Sequence, residues 1–377
     1  MFDPKSLPYP PNDAQAKSYQ IIDKGNHLSA ILATGKGKTN IGLYACQKAI
    51  DKGKRFLFCS PLKALCSEQN ATCKQYWPNI LPVMGDFREN REKIQGDYVG
   101  YNMTYESAYQ YMIQPEKRDS LFQHIGCVVI DEAHMLGNEK RGPIVENLIY
   151  FIQTQYPAIQ IILLSATIGN REEFAAHFNT IPVIDLNRAV EIRLQIAPIK
   201  NMYIDKESSF EAIKAFIESI KDEIHVRKPS VLIFCGRRNE AKELSEWWNG
   251  ISRLPADYHN SDRTREEREQ IEDKFRKREI FMLFCTTTLS MGLNTPCDIS
   301  IITFIKRKDP CFCDYTFIED FEVMQMIGRA GRQGSDPVYY IRQKDKTKIP
   351  YALGYVLCDV QDVERAELMT LDRKSVV

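Results

Sequence analysis

Short runs of β-branched, aromatic and other apolar residues recur along this chain, and they limit its fold more than any other feature. "LSAILA" (28–33), "RFLFCSP" (55–61), "CVVIDE" (127–132) and "IQIILLSA" (159–166) form a first set. "PSVLIFC" (229–235), "IFMLFCT" (280–286), "ISIITFI" (299–305) and "GYVLCDV" (354–360) form a second. These runs are continuous rather than alternating, as expected for strands in a sheet covered on both faces. The stretches between them, such as "TNIGLYACQKAIDKG", carry helix-compatible patterns. The alternation predicts α/β folding around mostly parallel sheets. A chain of 377 residues exceeds what one core usually organises. Between the sets, "NRAVEIRLQIAPIKNMYIDKESS" (187–209) shows no clear helical period and contains Pro198. The boundary is therefore set near residue 188, giving domains 1–187 and 188–377. The charged stretch 263–279 reads as a solvated amphipathic helix, with Ile271 and Phe275 on its inner face.

Lys and Arg together equal Asp and Glu, so the formal net charge is zero. That excludes a uniformly basic surface and leaves nucleic-acid binding to local patches. Eleven cysteines are scattered, many inside apolar runs, and read as reduced buried thiols. Cys311 and Cys313 lack the spacing and the partner pair of a zinc site. No apolar run approaches a membrane span, and the first residues lack a secretory apolar segment. The expected location is the cytoplasm, or the nucleus in a eukaryote.

"ILATGKGKTN" (31–40) follows one predicted strand and precedes a helical pattern. Its glycines, Gly35 and Gly37, let backbone N–H groups wrap around phosphates. Thr34 opens the loop, Lys38 would reach the β/γ-phosphates, and Thr39 would hold Mg2+. Lys36 adds a second cation beside the site, with solvent as its default direction. The strict P-loop pattern fails at Leu32, where Gly or Ala is expected. "VVIDEAHML" (128–136) ends a second strand in two adjacent carboxylates. Asp131 can hold Mg2+, and Glu132 can polarise an attacking water. Together the two stretches predict hydrolysis of a Mg2+-bound nucleoside triphosphate.

The second set of strands leads to "QMIGRAGRQG" (325–334). If helical, Gln325, Arg329 and Arg332 share one face. Arginines delivered to a γ-phosphate from another domain stabilise the loose transition state of phosphoryl transfer. Gly328, Ala330 and Gly331 would allow the lobes to approach closely. A surface basic turn is the plain alternative.

With these motifs in this order, the chain resembles superfamily 2 helicases with a DExH box, and most of all their Ski-like branch. The resemblance covers roughly residues 10–360. It implies two tandem RecA-like P-loop domains with an inter-domain ATP cleft. Gln15 stands where the family has an adenine-contacting glutamine, and Gly292 and Asn294 in "TTTLSMGLNTP" would sit at the nucleotide. Ser165 and Thr167 of "SAT" resemble hydroxyls that link the ATP site to lobe movement. His134 would hydrogen-bond across the cleft to Gln325, or locally. Pro61, Lys63, Thr104, Arg237, Thr286 and Thr288 fall where the family grips a sugar–phosphate backbone. The stretch 304–325 resembles the branch's β-hairpin region, with Phe312, Tyr315 and Phe317 as base-stacking candidates or as packing beneath the hairpin.

The resemblance implies an ATP-dependent helicase or translocase moving 3′ to 5′ on single-stranded or forked nucleic acid. "KRKDPCFCDY" inclines the reading toward DNA over RNA. Too little sequence follows Arg332 for the winged-helix and ratchet domains common in this branch. ATPase and translocase activity are therefore expected before processive unwinding, with a protein partner supplying the accessory domains as one way out. An RNA helicase, a remodelling ATPase that never unwinds and a small-molecule P-loop kinase are the competing readings.

Overall fold

The computed structural model describes residues 1–377 except 8, 34, 86–92, 139–140, 167, 169, 188–189, 201, 204, 287–296, 309–314, 332–337, 343–347 and 371–377. The chain divides into two compact units, Met1–Arg188 and Ala189–Val377.

The first unit runs α1 (Asp13–Asp23), β1 (Leu28–Leu32), α2 (Lys38–Asp51), β2 (Arg55–Ser60), α3 (Lys63–Lys74), β3 (Ile80–Val83) and β4 (Gly100–Thr104). It continues through α4 (Tyr105–Ile113), α5 (Pro115–Phe122), β5 (Ile125–Ile130), α6 (Gly142–Gln155), β6 (Gln160–Ser165), α7 (Arg171–His177) and β7 (Ile181–Asp185). Its seven strands lie in the order β3-β4-β2-β5-β6-β1-β7, and every pair is parallel. Both faces are covered, which is why the central strands read as unbroken apolar runs. On one face Leu28, Ala30 and Leu32 pack with Phe56, Phe58, Val129, Ile162 and Leu164. On the other, Ile31, Leu57, Val128 and Leu163 are equally buried.

The second unit runs β8 (Glu191–Ile199), α8 (Lys206–Ser219), α9 (Lys221–Arg227), β9 (Val231–Phe234), α10 (Arg238–Ile251), β10 (Ala256–His259), α11 (Arg265–Arg276) and β11 (Met282–Cys285). Then come β12 (Ile299–Ile302), β13 (Lys306–Lys308), β14 (Tyr315–Phe317), α12 (Asp320–Ile327), β15 (Tyr339–Arg342), β16 (Lys348–Asp359) and α13 (Val363–Thr370). Strand order is β10-β11-β9-β12-β16-β15, with β8 added parallel to β16. β15 and β16 are antiparallel, and β13 and β14 form a separate antiparallel ribbon. Two apolar clusters cover the two faces of the sheet, one around Leu232, Phe234 and Leu283, the other around Val231, Ile233 and Phe284. In α11, Ile271 and Phe275 are buried as expected, each stabilising by about 1.5–3 kcal/mol.

All eight predicted runs contain strands of the two sheets. The sequence assigns no element to one stretch, and one expectation needs correction. The stretch 187–209 contains a nine-residue strand, β8, in which Ile192, Leu194 and Ile196 turn inward at period two. Pro198 is tolerated there because β8 pairs only with β16 among the described residues. The helix of "QMIGRAGR" stops at Ile327 with Gly328 as its C-cap, so Arg329 lies beyond the helix. Residue 330 instead pairs with Cys297 in an isolated bridge, and the Gly331 N–H donates to the Cys297 carbonyl. The described cysteines are buried. Burial raises the thiol pKa of most of them, for example to about 12 at Cys66, Cys73 and Cys127. No described helix is long and apolar enough to cross a membrane.

Candidate nucleotide and nucleic-acid sites

In a parallel sheet the loops after the strands' carboxyl ends form the natural binding edge. The loop from β1 to α2 carries Gly35 at φ +86° and Gly37 at φ +73°, so both glycines use left-handed backbone. A Cβ at residue 37 would also meet the Gln15 amide nitrogen at 2.4 Å. Gln15 is 6% exposed. It donates to the Gly37 carbonyl at 3.2 Å and closes the capping box of α1 by accepting from the Asn12 N–H. Both ends of its amide are thus engaged, the nitrogen in bracing the loop and the oxygen in capping α1. Asn12 adds a second brace, donating to the Lys36 carbonyl at 3.2 Å. Lys36 does not point freely to solvent, because it pairs with Asp185 at 3.0 Å. Lys38 opens α2 and donates to the Leu32 carbonyl at 3.0 Å, and Thr39 is exposed beside it.

Asp131 and Glu132 follow β5 directly. The Asp131 N–H donates to the Cys59 carbonyl of β2, and its carboxylate accepts from the Glu132 N–H at 3.0 Å. The buried Tyr105 hydroxyl donates to the Asp131 carbonyl. Glu132 has φ +53°, a left-handed conformation uncommon for a non-glycine residue. Desolvation pushes the Asp131 carboxyl up to about 7, helped by the Glu132 charge and opposed by the Lys38 ammonium. Adjacent carboxylates in this setting form a donor set that a divalent cation would relieve. His134 Nδ1 lies 3.3 Å from Glu132 Oε2 and 3.4 Å from Ser165 Oγ at the end of β6. These are contacts within the first unit. Desolvation lowers the His134 pKa, with Glu132 opposing.

Of the proposed strand contacts in the first unit, Pro61 is buried and Lys63 is exposed at the start of α3. Thr104 is 5% exposed, and its hydroxyl caps α4 by accepting from the Ser107 N–H. In the second unit, Arg237 is the N-cap residue of α10 and meets Glu240 at 3.4 Å. Thr286 follows β11, its N–H donating to the His259 carbonyl. Both border a cavity of about 770 Å³. Gln325 lies on α12 and is half-buried, whereas Arg329 is 4% exposed. Tyr315 and Phe317 are each about two-fifths exposed, with Tyr203 against the first ring and the Lys306 ammonium 4.7 Å from the centre of the second. Thr34, Thr167, Thr288, Gly292, Asn294, Cys311, Phe312, Cys313 and Arg332 lie outside the described residues.

The sequence reading did not single out Asn12, Tyr105 or Asp185. Asn12 had a signal in the Asn-x-x-Gln capping pattern. Tyr105 and Asp185 depend on pairing between strands distant in sequence, which no local pattern shows.

Residues 12–174 match the DEAD/DEAH box helicase family and residues 211–334 the helicase conserved C-terminal domain, in that order. The chain belongs to the superfamily 2 DExH-box helicases. Relatives include proteins named ATP-dependent DNA helicase Hel308 from three archaea. The Thermoplasma volcanium protein is 27% identical over 86% of this chain and 51% of its own length. The Methanococcus vannielii protein is 29% identical over 92% and 51%. The Pyrococcus horikoshii protein is 29% identical over 88% and 49%. The chain thus spans about half the length of the curated relatives it matches.

Proposed function

We propose that this chain is an ATP-driven helicase or translocase on single-stranded nucleic acid, moving 3′ to 5′ with DNA as its strand. The observation that carries it is the convergence of Lys38, Asp131, Glu132, His134 and Ser165 on the carboxyl edge of one parallel sheet. Residues 1–187 form the ATP-binding half and 188–377 the C-terminal half. Gln15, Thr34, Gly35, Lys36, Gly37 and Lys38 shape the nucleotide loop, and Thr39 and Asp131 would hold Mg2+. The metal, when bound, neutralises charge on the phosphates. Glu132 accepts the proton of the attacking water and is held in place by its strained backbone and by His134. Arg329 and Arg332 stabilise the γ-phosphate from the second unit, with Gln325, Gly292 and Asn294 beside them. Pro61, Lys63, Arg237, Thr286 and Thr288 hold the backbone of one strand, so binding weakens with salt and shows little sequence preference. The names of the relatives support DNA over RNA. A DNA substrate places the chain in the cytoplasm, or in the nucleus of a eukaryote.

ATP hydrolysis measured with single-stranded DNA, single-stranded RNA or neither tests this reading. DNA should stimulate turnover most, and Arg332→Ala should lower it by roughly 10³-fold with ATP still bound. Near-normal turnover in that variant would remove the arginine from the active site. Stronger stimulation by RNA would change the substrate, and stimulation without movement along the strand would favour a remodelling ATPase.

A further inference from the structure

One wall of the second unit's cavity comes from an element outside every motif. The cavity of about 770 Å³ is bordered by Arg237, Arg238, Ser261 and Thr286, and also by Lys206 and Phe210 of α8. Lys206, Phe210 and Lys214 are spaced i, i+4, i+8 and share one helix face. Lys206 is exposed and makes no ion pair among the described residues. Phe210 is half-buried, leaving part of its ring open. The Lys214 ammonium lies 4.4 Å from the centre of the Phe210 ring and 5.8 Å from that of Trp247 on α10. It also pairs with Glu211 at 2.7 Å. Two carboxylates share the cavity: Glu240 is buried and accepts from the Gly236 N–H, and Glu243 is exposed on the rim.

Alternating cations and aromatic faces suit an unpaired strand, because every base offers a π-face and every nucleotide a phosphate. A small anion would use the cations but not the rings. We propose that α8 extends the single-strand track of the second unit, with Phe210 stacking on a base and Lys206 and Lys214 meeting the flanking phosphates. Along the helix the two lysines are separated by about 12 Å. This assignment rests on the nucleic-acid reading above and adds contacts that none of the helicase motifs contains.

The test uses the full chain and a fluorescein-labelled oligothymidine, with anisotropy followed across a salt series. Lys206→Ala should weaken binding and lower the salt slope by about 0.7. Phe210→Leu keeps the apolar volume but loses the π-face, and should weaken binding by about 5- to 100-fold. Phe210→Tyr should bind like the unsubstituted chain, a rescue that a mere packing role does not predict. Melting temperatures confirm folding, and Lys206 is exposed enough that its truncation cannot unfold the unit. If folded Lys206→Ala and Phe210→Leu bind within two-fold of the parent at unchanged salt slope, the α8 track is wrong and the helicase reading stands. Equal weakening toward poly-glutamate would also overturn it, because the track would then read charge alone. If the parent binds no single-stranded DNA or RNA, the helicase reading falls and takes this proposal with it.

Discussion

At Gly331 the backbone has φ +69°, and an added Cβ would lie 2.9 Å from Val190 and 3.1 Å from Ala352. Gly331 therefore makes room inside its own unit. Gly331→Ala should destabilise the second unit by about 1–3 kcal/mol, read from urea unfolding. Glu240 offers a test by pH. Burial raises its carboxyl pKa, against the Arg237 charge and the N–H groups of Gly236 and Arg237. The folded state then holds a proton more tightly than the unfolded chain does. Stability is greatest below the ordinary carboxyl range and falls as pH rises through the raised value. Glu240→Gln removes that fall, so the stability of the parent relative to the variant should decline as pH rises from the ordinary carboxyl range through the raised value. Lys38, Asp131 and Glu132 were legible because a strand end followed by a fixed loop pattern places them. The engagement of Gln15 and Thr104 was not, since only burial shows that a polar side chain already has its partners.

Among elements, β8 shows what a boundary argument misses. "EIRLQIAPI" alternates in and out, but the lack of a helical period and the presence of a proline assign it no element. Its place is settled by nine residues of parallel pairing with β16, at positions 351–359. The central strands needed no such help, because continuous apolar runs leave few places other than the middle of a covered sheet. The helix α11 was legible for the opposite reason, its two apolar residues standing out in a charged stretch. Phe275 is 1% exposed, and Phe275→Ala should cost about 3–5 kcal/mol through the cavity it leaves. Differential scanning calorimetry would show the effect in the transition of the second unit. A shift of both transitions by the same amount would argue against separately closed cores.

For the whole molecule, a net charge of zero means that attraction to a polyanion must come from local arrangement. The salt slope of strand binding should therefore reflect a handful of contacts, and neutralising exposed lysines other than Lys63, Lys206 and Lys214, for example Lys277, should leave it unchanged. The described thiols add a different property. Cys46, Cys59, Cys66, Cys73 and Cys127 lie in the first unit, and Cys235, Cys285, Cys297 and Cys358 in the second. A buried, protonated thiol reacts with a modifying reagent only when its surroundings open. The molecule thus carries its own clocks, distributed between both halves. Mass-resolved labelling rates, taken with and without nucleotide, would time the opening of each half separately without a single added probe.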